Sequence, residues 1–207
     1  MRALLMLSVS LTLACQTSPS VAPSERRTAS PRLEIILAND SVPEQKTREQ
    51  LRRLMERFEV DPWIYTTAVR IDERSIPHSH PVLTLHARHL GNDMHLLSTF
   101  VHEQMHWFLD ANKTKTERAM AALHSLYPTL PTGFPEGAEE VESSYLHVLV
   151  NYLEYAALQR VTGKEAARSV FDFWANDHYR ALYRIVLKDE ARIREVVAQH
   201  GLMPEGL

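Results

Sequence analysis

The 207-residue chain has only one cysteine, Cys15. A single cysteine excludes an internal disulfide and a zinc site built on cysteine pairs. The chain also lacks a surplus of charge, since its net charge is -3 with histidine neutral. This excludes the broad basic field of a nucleic-acid-binding protein. Beyond the first 15 residues no apolar run is long enough to span a bilayer. The length suits one domain with a sizeable core.

The N-terminal segment has the pattern of a short signal peptide. Residues 1–14 combine one positive charge, Arg2, with a run of apolar and small residues. The sequence LTLAC at residues 11–15 resembles a bacterial lipoprotein lipobox, although threonine stands where leucine is usual three residues before the cysteine. The resemblance implies export, lipid attachment at Cys15 and anchoring in the bacterial cell envelope, on the outer membrane if the cell has one. The alternative is an ordinary signal peptide with an incidental cysteine.

The rest of the chain divides into a tether and one domain. Residues 15–31 are rich in Ser, Thr, Pro and Ala, which is typical of a flexible linker. Residues 32–207 contain the apolar periodicity of a folded domain. We predict strands at residues 32–38, 63–71 and 81–88, and helices at 43–58, 94–111, 114–127, 139–161, 165–189 and 190–200. This order favours an α+β fold, with a small N-terminal sheet packed on a mainly helical body.

One helix carries a pattern with chemical meaning, H-E-x-x-H. His102 and His106 are four residues apart, so both imidazoles lie on the same face of the helix. One helical turn can thus provide two nitrogen ligands to a zinc ion. Glu103 follows the first histidine, where it can act as general base on a metal-activated water.

The flanking residues extend this pattern. Residues 99–108 resemble the active-site helix of the zincin metallopeptidases, because the positions around the motif are uncharged or apolar and neither Pro nor Gly interrupts them. The predicted strand at residues 81–88 precedes the helix, as the substrate-binding edge strand does in zincins. The resemblance implies a zincin-like domain with the motif on a central helix, a Zn²⁺ cofactor and a peptide or protein substrate.

A third protein ligand is needed for catalytic zinc. The chain lacks the close third histidine of the metzincins, so the ligand must come from a later helix. The helix predicted at residues 139–161 is apolar around most of its circumference, yet it carries a polar stripe. Glu154 resembles the third ligand of the glutamate-type zincins, and His147 would make a three-histidine site. The other candidate ligands are Glu136, Glu140 and Glu142; alternatively, the stripe forms only an internal hydrogen-bond network.

Other histidines are secondary candidates. His178 lies in a late aromatic-rich segment and is the candidate for stabilising the oxyanion, a task that zincins often give to a His or Tyr outside the metal shell. Four more histidines surround the strand at residues 81–88, where they either bind substrate or a second metal or are simply solvated: His78, His80, His86 and His89.

The leading hypothesis is a zinc metallopeptidase held in the envelope by its lipid anchor. Zinc bound by His102, His106 and Glu154 or His147 would activate water, with Glu103 as base. One alternative is a non-catalytic envelope lipoprotein that uses the scaffold as a binding module. Another is a periplasmic metal-binding lipoprotein. The sequence indicates no nucleic-acid partner and no membrane contact beyond the anchor, and it leaves the oligomeric state open.

Overall fold

The structure is a computed structural model that describes residues 31–207. The predicted signal peptide, the lipid-attachment residue Cys15 and nearly all of the tether lie outside the described residues. Pro31–Leu207 forms one compact unit. Among these residues, no helix has both the length and the apolarity to cross a membrane.

Three short strands form the sheet: β1 (Glu34–Leu37), β2 (Ala68–Ile71) and β3 (Leu83–Leu85). They pair in parallel in the order β1-β2-β3. Parallel pairing requires a crossover connection, and the helix that follows β1 provides one between the first two strands. An antiparallel bridge between His78 and Thr84 adds a short outer segment beside β3.

The last two strands are shorter than predicted. The segment predicted as a strand from residue 63 begins with a 3-10 turn, Asp61–Trp63, because Trp63 is buried and its indole N–H donates to the carbonyl of Glu205. After β3, His86 accepts a hydrogen bond from the backbone N–H of Arg88 through Nδ1 (2.7 Å). That bond starts a second 3-10 turn and ends the strand.

Within residues 31–207, six helices make up the body: α1 (Val42–Arg57), α2 (Asp93–Ala111), α3 (Lys113–Leu126), α4 (Val141–Thr162), α5 (Lys164–Asp177) and α6 (Arg180–Gln199). The ends follow local chemistry. Ser41 caps α1, with a proline in the first turn, and Asn92 caps α2 through its side chain. Gly163 ends α4 at a φ of +87°, which glycine adopts without steric cost.

A break between the last helices was missed in the prediction. The sequence predicts one helix over residues 165–189 and another over 190–200, whereas α5 ends at Asp177 and α6 begins at Arg180. The predicted break after residue 189 coincides with non-helical backbone at Asp189, where α6 is kinked.

The missed break is at Tyr179, in the left-handed region at φ +48°. The carbonyl groups of Pro135 and Glu136, in the loop between α3 and α4, accept hydrogen bonds from the first two N–H groups of α6 and so define its start.

Helix α4 lies at the centre of the helical body and packs against α2, α3, α5 and α6. Its middle is buried all round, as its composition predicted. Helix α2 packs against α4 on one side and contacts β3 and α1 on another. The predicted α+β class, with a small N-terminal sheet and a mainly helical body, is confirmed.

Candidate metal centre

Helix α2 carries the H-E-x-x-H sequence in its middle. Both histidines lie on the face that meets α4, and their Nε2 atoms are 3.3 Å apart. Nitrogens that ligate zinc tetrahedrally at about 2.0–2.1 Å stand about 3.3 Å from each other. His102 and His106 therefore hold the spacing of a ligand pair.

Helix α4 adds a third imidazole to this pair. The ring of His147 is centred 5.7 Å from that of His102 and 5.0 Å from that of His106. One nitrogen from each ring lies within 4.8 Å of the other two. This buried group of three histidines can hold a metal ion.

In two of the three rings, the nitrogen that faces away from the cluster makes a hydrogen bond that orients the ring. His147 Nδ1 lies 2.7 Å from the carbonyl oxygen of Ser143, which can only accept, so Nδ1 carries the proton. His102 Nδ1 lies 3.0 Å from an oxygen of Glu154. With the proton on Nδ1, each neutral ring presents the lone pair of Nε2 to the cluster, which is the tautomer that a metal requires.

Glu154 lies on the side of the His102 ring that faces away from the histidine cluster. Its carboxylate accepts hydrogen bonds from His102, from the hydroxyl of Ser98 and from Tyr183 (3.3 Å). Ser98 in turn accepts from the indole N–H of Trp174 (2.8 Å), which leaves its own hydrogen for Glu154. Glu154 stays a candidate third ligand: its oxygens accept these hydrogen bonds in the structure, whereas the buried group that could hold a metal ion consists of His102, His106 and His147.

Burial sets the electrostatics of the centre. Loss of water lowers the pKa of His102 to about 4 and that of His147 to about 3, and it lowers the pKa of His106 well below its ordinary value. Burial, followed by the nearby charge of Glu154, raises the pKa of Glu103 to about 8. The three imidazoles are thus neutral at neutral pH and could act as metal ligands. A divalent cation at the centre would oppose the shift of Glu103 and favour its carboxylate.

The centre opens into a cleft of about 560 Å³. Glu103 lies in its wall beside the three histidines. On one rim stands His178, whose Nδ1 is 2.8 Å from Asp177. Asp177 also accepts from Arg88 (2.9 Å), so an Arg–Asp–His chain borders the cleft.

The other predicted site residues lie at varying distances from this centre. Glu136 pairs with Arg184 on α6, Glu140 is the N-cap of α4, and Glu142 faces His124. None of them joins the described histidine cluster.

The four histidines near β3 have different surroundings. His78 lines the cleft, and His80 stacks on Trp107 with ring centroids 4.2 Å apart. His86 caps a turn, whereas His89 is buried and accepts a hydrogen bond from the neighbouring Arg88.

Trp174 and Arg88 line the cleft and were not among the predicted site residues. Tyr179 belongs to the same aromatic-rich segment as His178, the residue predicted for the oxyanion, and packs on His147 with ring centroids 4.3 Å apart. Tyr179 has the left-handed backbone conformation that is more usual for glycine or asparagine, and a single sequence gives no signal for it. The adjacency of Asp177 and His178 was the one available signal, because an aspartate next to a candidate histidine can orient its ring.

Comparisons with known protein families, with characterised proteins and with solved structures return no significant match to this chain.

Proposed function

We propose that the protein is a zinc-dependent hydrolase of peptide bonds, with Glu103 as general base. The observation that carries the proposal is the convergence of three neutral imidazoles beside a buried carboxylate in an open cleft. Three protein ligands with room for a fourth are the pattern of catalytic zinc, whereas structural zinc sites are closed by four.

The donor set supports zinc as the metal. Imidazole nitrogen suits Zn²⁺, and the spacing of His102 and His106 matches a tetrahedral arrangement. Two of the three rings are held by hydrogen bonds at their outer nitrogens, to Glu154 and to the Ser143 carbonyl. Such partners fix ring orientation and raise ligand basicity.

In the proposed reaction a bound zinc ion would lower the pKa of a coordinated water and polarise the substrate carbonyl. Glu103 removes the proton from the attacking water and passes it to the departing amine. The carboxylate is 5% exposed, so little bulk water competes for that proton. His178, held at Nδ1 by Asp177, directs Nε2 to the developing oxyanion.

The zincin likeness of α2 and the envelope location belong to the same proposal. The H-E-x-x-H sequence on α2 supports the zincin-like part of the proposal, and a histidine from α4 would take the place of the glutamate of the glutamate-type zincins. The lipobox-like sequence ending at Cys15 supports lipid anchoring and export, and thus peptide or protein substrates in the cell envelope.

The test compares the purified full-length protein with Glu103→Gln, which keeps the size of the side chain and removes its basicity. We expect about one zinc per chain in both proteins, and cleavage of a broad peptide library by the wild type alone. A matched control is Glu142→Gln, on the exposed start of α4, which should cleave like the wild type.

Two results would favour the other candidate functions. Stoichiometric metal without cleavage by the wild type, on peptides or other amides, would indicate a binding module. Several metal ions per chain, retained after loss of His147, would indicate a metal-binding lipoprotein that uses the histidines near β3.

A further inference from the structure

The loop that connects α3 to α4 is tightly folded and borders the cleft. We call residues 131–138 the Phe134 loop. Within it, the N–H of Gly133 donates to the carbonyl of Ala138 (2.7 Å), and the N–H of Gly137 donates to that of Gly133 (2.9 Å). A Cβ atom at Gly137 would overlap the carbonyl oxygen of Pro131. The loop is thus closely packed against itself.

The Phe134 loop is also fastened to two helices. Ser144, fully buried on α4, donates to a carbonyl at one end of the loop (2.9 Å) and accepts from an N–H at the other (3.1 Å). The first two N–H groups of α6 donate to the carbonyls of Pro135 (2.9 Å) and Glu136 (3.1 Å). Phe134 lies between Pro131 and Pro135, whose carbonyl groups both accept hydrogen bonds from the helices, so its position in the loop is fixed.

Phe134 is nevertheless 83% exposed, and it lines the metal cleft. Ile76, on the segment before β3, lines the same cleft and is 80% exposed. These are the two most exposed large hydrophobic side chains among the described residues. Exposed apolar side chains that gather at a cleft, one of them on a braced loop, indicate a binding surface rather than incidental exposure.

The segment that carries Ile76 has few main-chain groups to offer a substrate. The N–H and carbonyl of His78 are paired with Thr84, and the carbonyl of Ser79 accepts from the indole of Trp107 (2.9 Å). Pro77 has no N–H at all. Substrate addition as a further strand would need these groups. Selection at this rim must therefore come from side-chain contact.

We propose that Phe134 and Ile76 form an apolar subsite at the mouth of the metal cleft. It selects peptides that carry a large apolar side chain beside the bond to be cleaved. This inference rests on the proposed peptide hydrolysis and names its substrate class. The two side chains bury the apolar group of the substrate, and the braced loop lets them do so without ordering a mobile segment.

The test uses the zinc-loaded full-length protein and paired peptides that differ only by Leu or Ala next to the cleaved bond. We expect the wild type to prefer the Leu peptide. In Phe134→Ala and Ile76→Ala, kcat/KM for the Leu peptide should fall about tenfold while that for the Ala peptide stays unchanged. Ile36→Ala is the matched control, since Ile36 is 58% exposed on β1 and does not line the cleft. It should behave like the wild type.

A second measurement separates this inference from the proposed function. Binding of the same peptides to zinc-loaded Glu103→Gln, by calorimetry, needs no catalysis. Tighter binding of the Leu peptide that is lost on adding Phe134→Ala supports the subsite even if the wild type cleaves nothing. Cleavage without any Leu preference, or a preference that survives both substitutions, overturns the subsite and leaves peptide hydrolysis intact. Unchanged selectivity together with lost binding to anionic phospholipid vesicles would also overturn it, and would assign both side chains to a membrane surface.

Discussion

Glu154 meets His102 at the ring nitrogen that faces away from the histidine cluster, with 3.0 Å between the carboxylate oxygen and Nδ1. The two α4 residues that contact this ring, His147 and Glu154, are seven positions apart, which is about 10 Å along a helix. The imidazole of His102 bridges that distance, with Nε2 towards His147 and Nδ1 towards Glu154. His147 and the carboxylate that accepts a hydrogen bond from His102 thus lie two turns apart on one face of α4.

Substitution of the supporting carboxylate should weaken metal binding without abolishing it. Burial raises the pKa of Glu154 to about 8, and a bound cation would favour its charged form. In Glu154→Gln the amide oxygen can still accept from His102, but the negative charge that would raise the basicity of the ring in the metal-bound protein is lost. We expect zinc affinity to fall about 10–100-fold. Competitive titration with a chelator of known affinity measures the change. Glu142→Gln, on the same helix, is the control and should titrate like the wild type. Complete loss of the metal in Glu154→Gln would instead make the carboxylate a direct ligand.

Removal of the third imidazole should have a larger effect. We expect His147→Ala to lose more zinc affinity than the 10–100-fold typical of outer partners, because two protein nitrogens remain where three are needed. Metal content after dialysis, measured by atomic emission, reports the result. His200→Ala, at the C-terminal end of α6, should retain the full equivalent. Wild-type zinc content in His147→Ala would exclude this residue from the centre.

The metal-free protein should become less stable as the pH falls below about 6.5. In the folded state burial holds the pKa of His147 near 3, against 6.5 for an exposed histidine, so the unfolded chain binds the proton first. The stability lost through His147 thus accumulates from about pH 6.5 downwards and is complete near pH 3. Denaturant unfolding in chelator should give a flatter pH dependence for His147→Ala than for the wild type in this window. Parallel curves for the two proteins would contradict the prediction.

Buried carboxyls act in the opposite direction. The pKa of Glu103 is raised to about 8, so its contribution to stability is present at acid pH and is lost as the pH rises from about 4.5 through 8. We expect Glu103→Gln to remain more stable than the wild type above about pH 6 in chelator. The comparison of unfolding free energies at pH 5 and pH 8 checks this, and an unchanged difference between the two proteins would be the opposing result.

The Phe134 loop gives a stability prediction at Gly137. A methyl group there would overlap the carbonyl oxygen of Pro131, so Gly137→Ala should lower the free energy of unfolding by about 3 kcal/mol. Gly133→Ala is the comparison, since its φ is +79° and no heavy atom lies within 4 Å of the added carbon. Backbone strain alone should cost about 1 kcal/mol there. Equal losses in the two variants would show that the overlap is relieved without cost.

The sequence predicted the parts of the site that depend on one helix. The spacing of His102 and His106 is a property of α2 alone, and so is the placement of Glu103 between them. Which residue of α4 could be the third ligand depends on which turn of α4 lies opposite the two histidines of α2. Packing across the core decides this, so the predicted stripe left both residues open, with the resemblance to the glutamate-type zincins favouring Glu154 over His147.

The fold, too, was predictable where it depends on local contacts and not where it depends on residues distant in the sequence. Helix starts with local caps, such as Ser41 and Asn92, were predictable because the capping bond lies within one turn. The break at Tyr179 was not, since it is defined by carbonyl groups of the Phe134 loop that lie more than forty residues earlier in the chain. No turn-forming glycine or proline marks the position.

The charge around a metal ion bound by the three histidines affects the choice of assay buffer. Three neutral imidazoles leave the double charge of a divalent cation uncompensated by its ligands, and Glu103 offsets only one unit of it. A centre of this kind attracts small anions. We expect phosphate, carbonate and carboxylate buffers to compete with substrates for the open position. Assays in uncharged or cationic buffers should therefore give higher apparent activity than assays in phosphate.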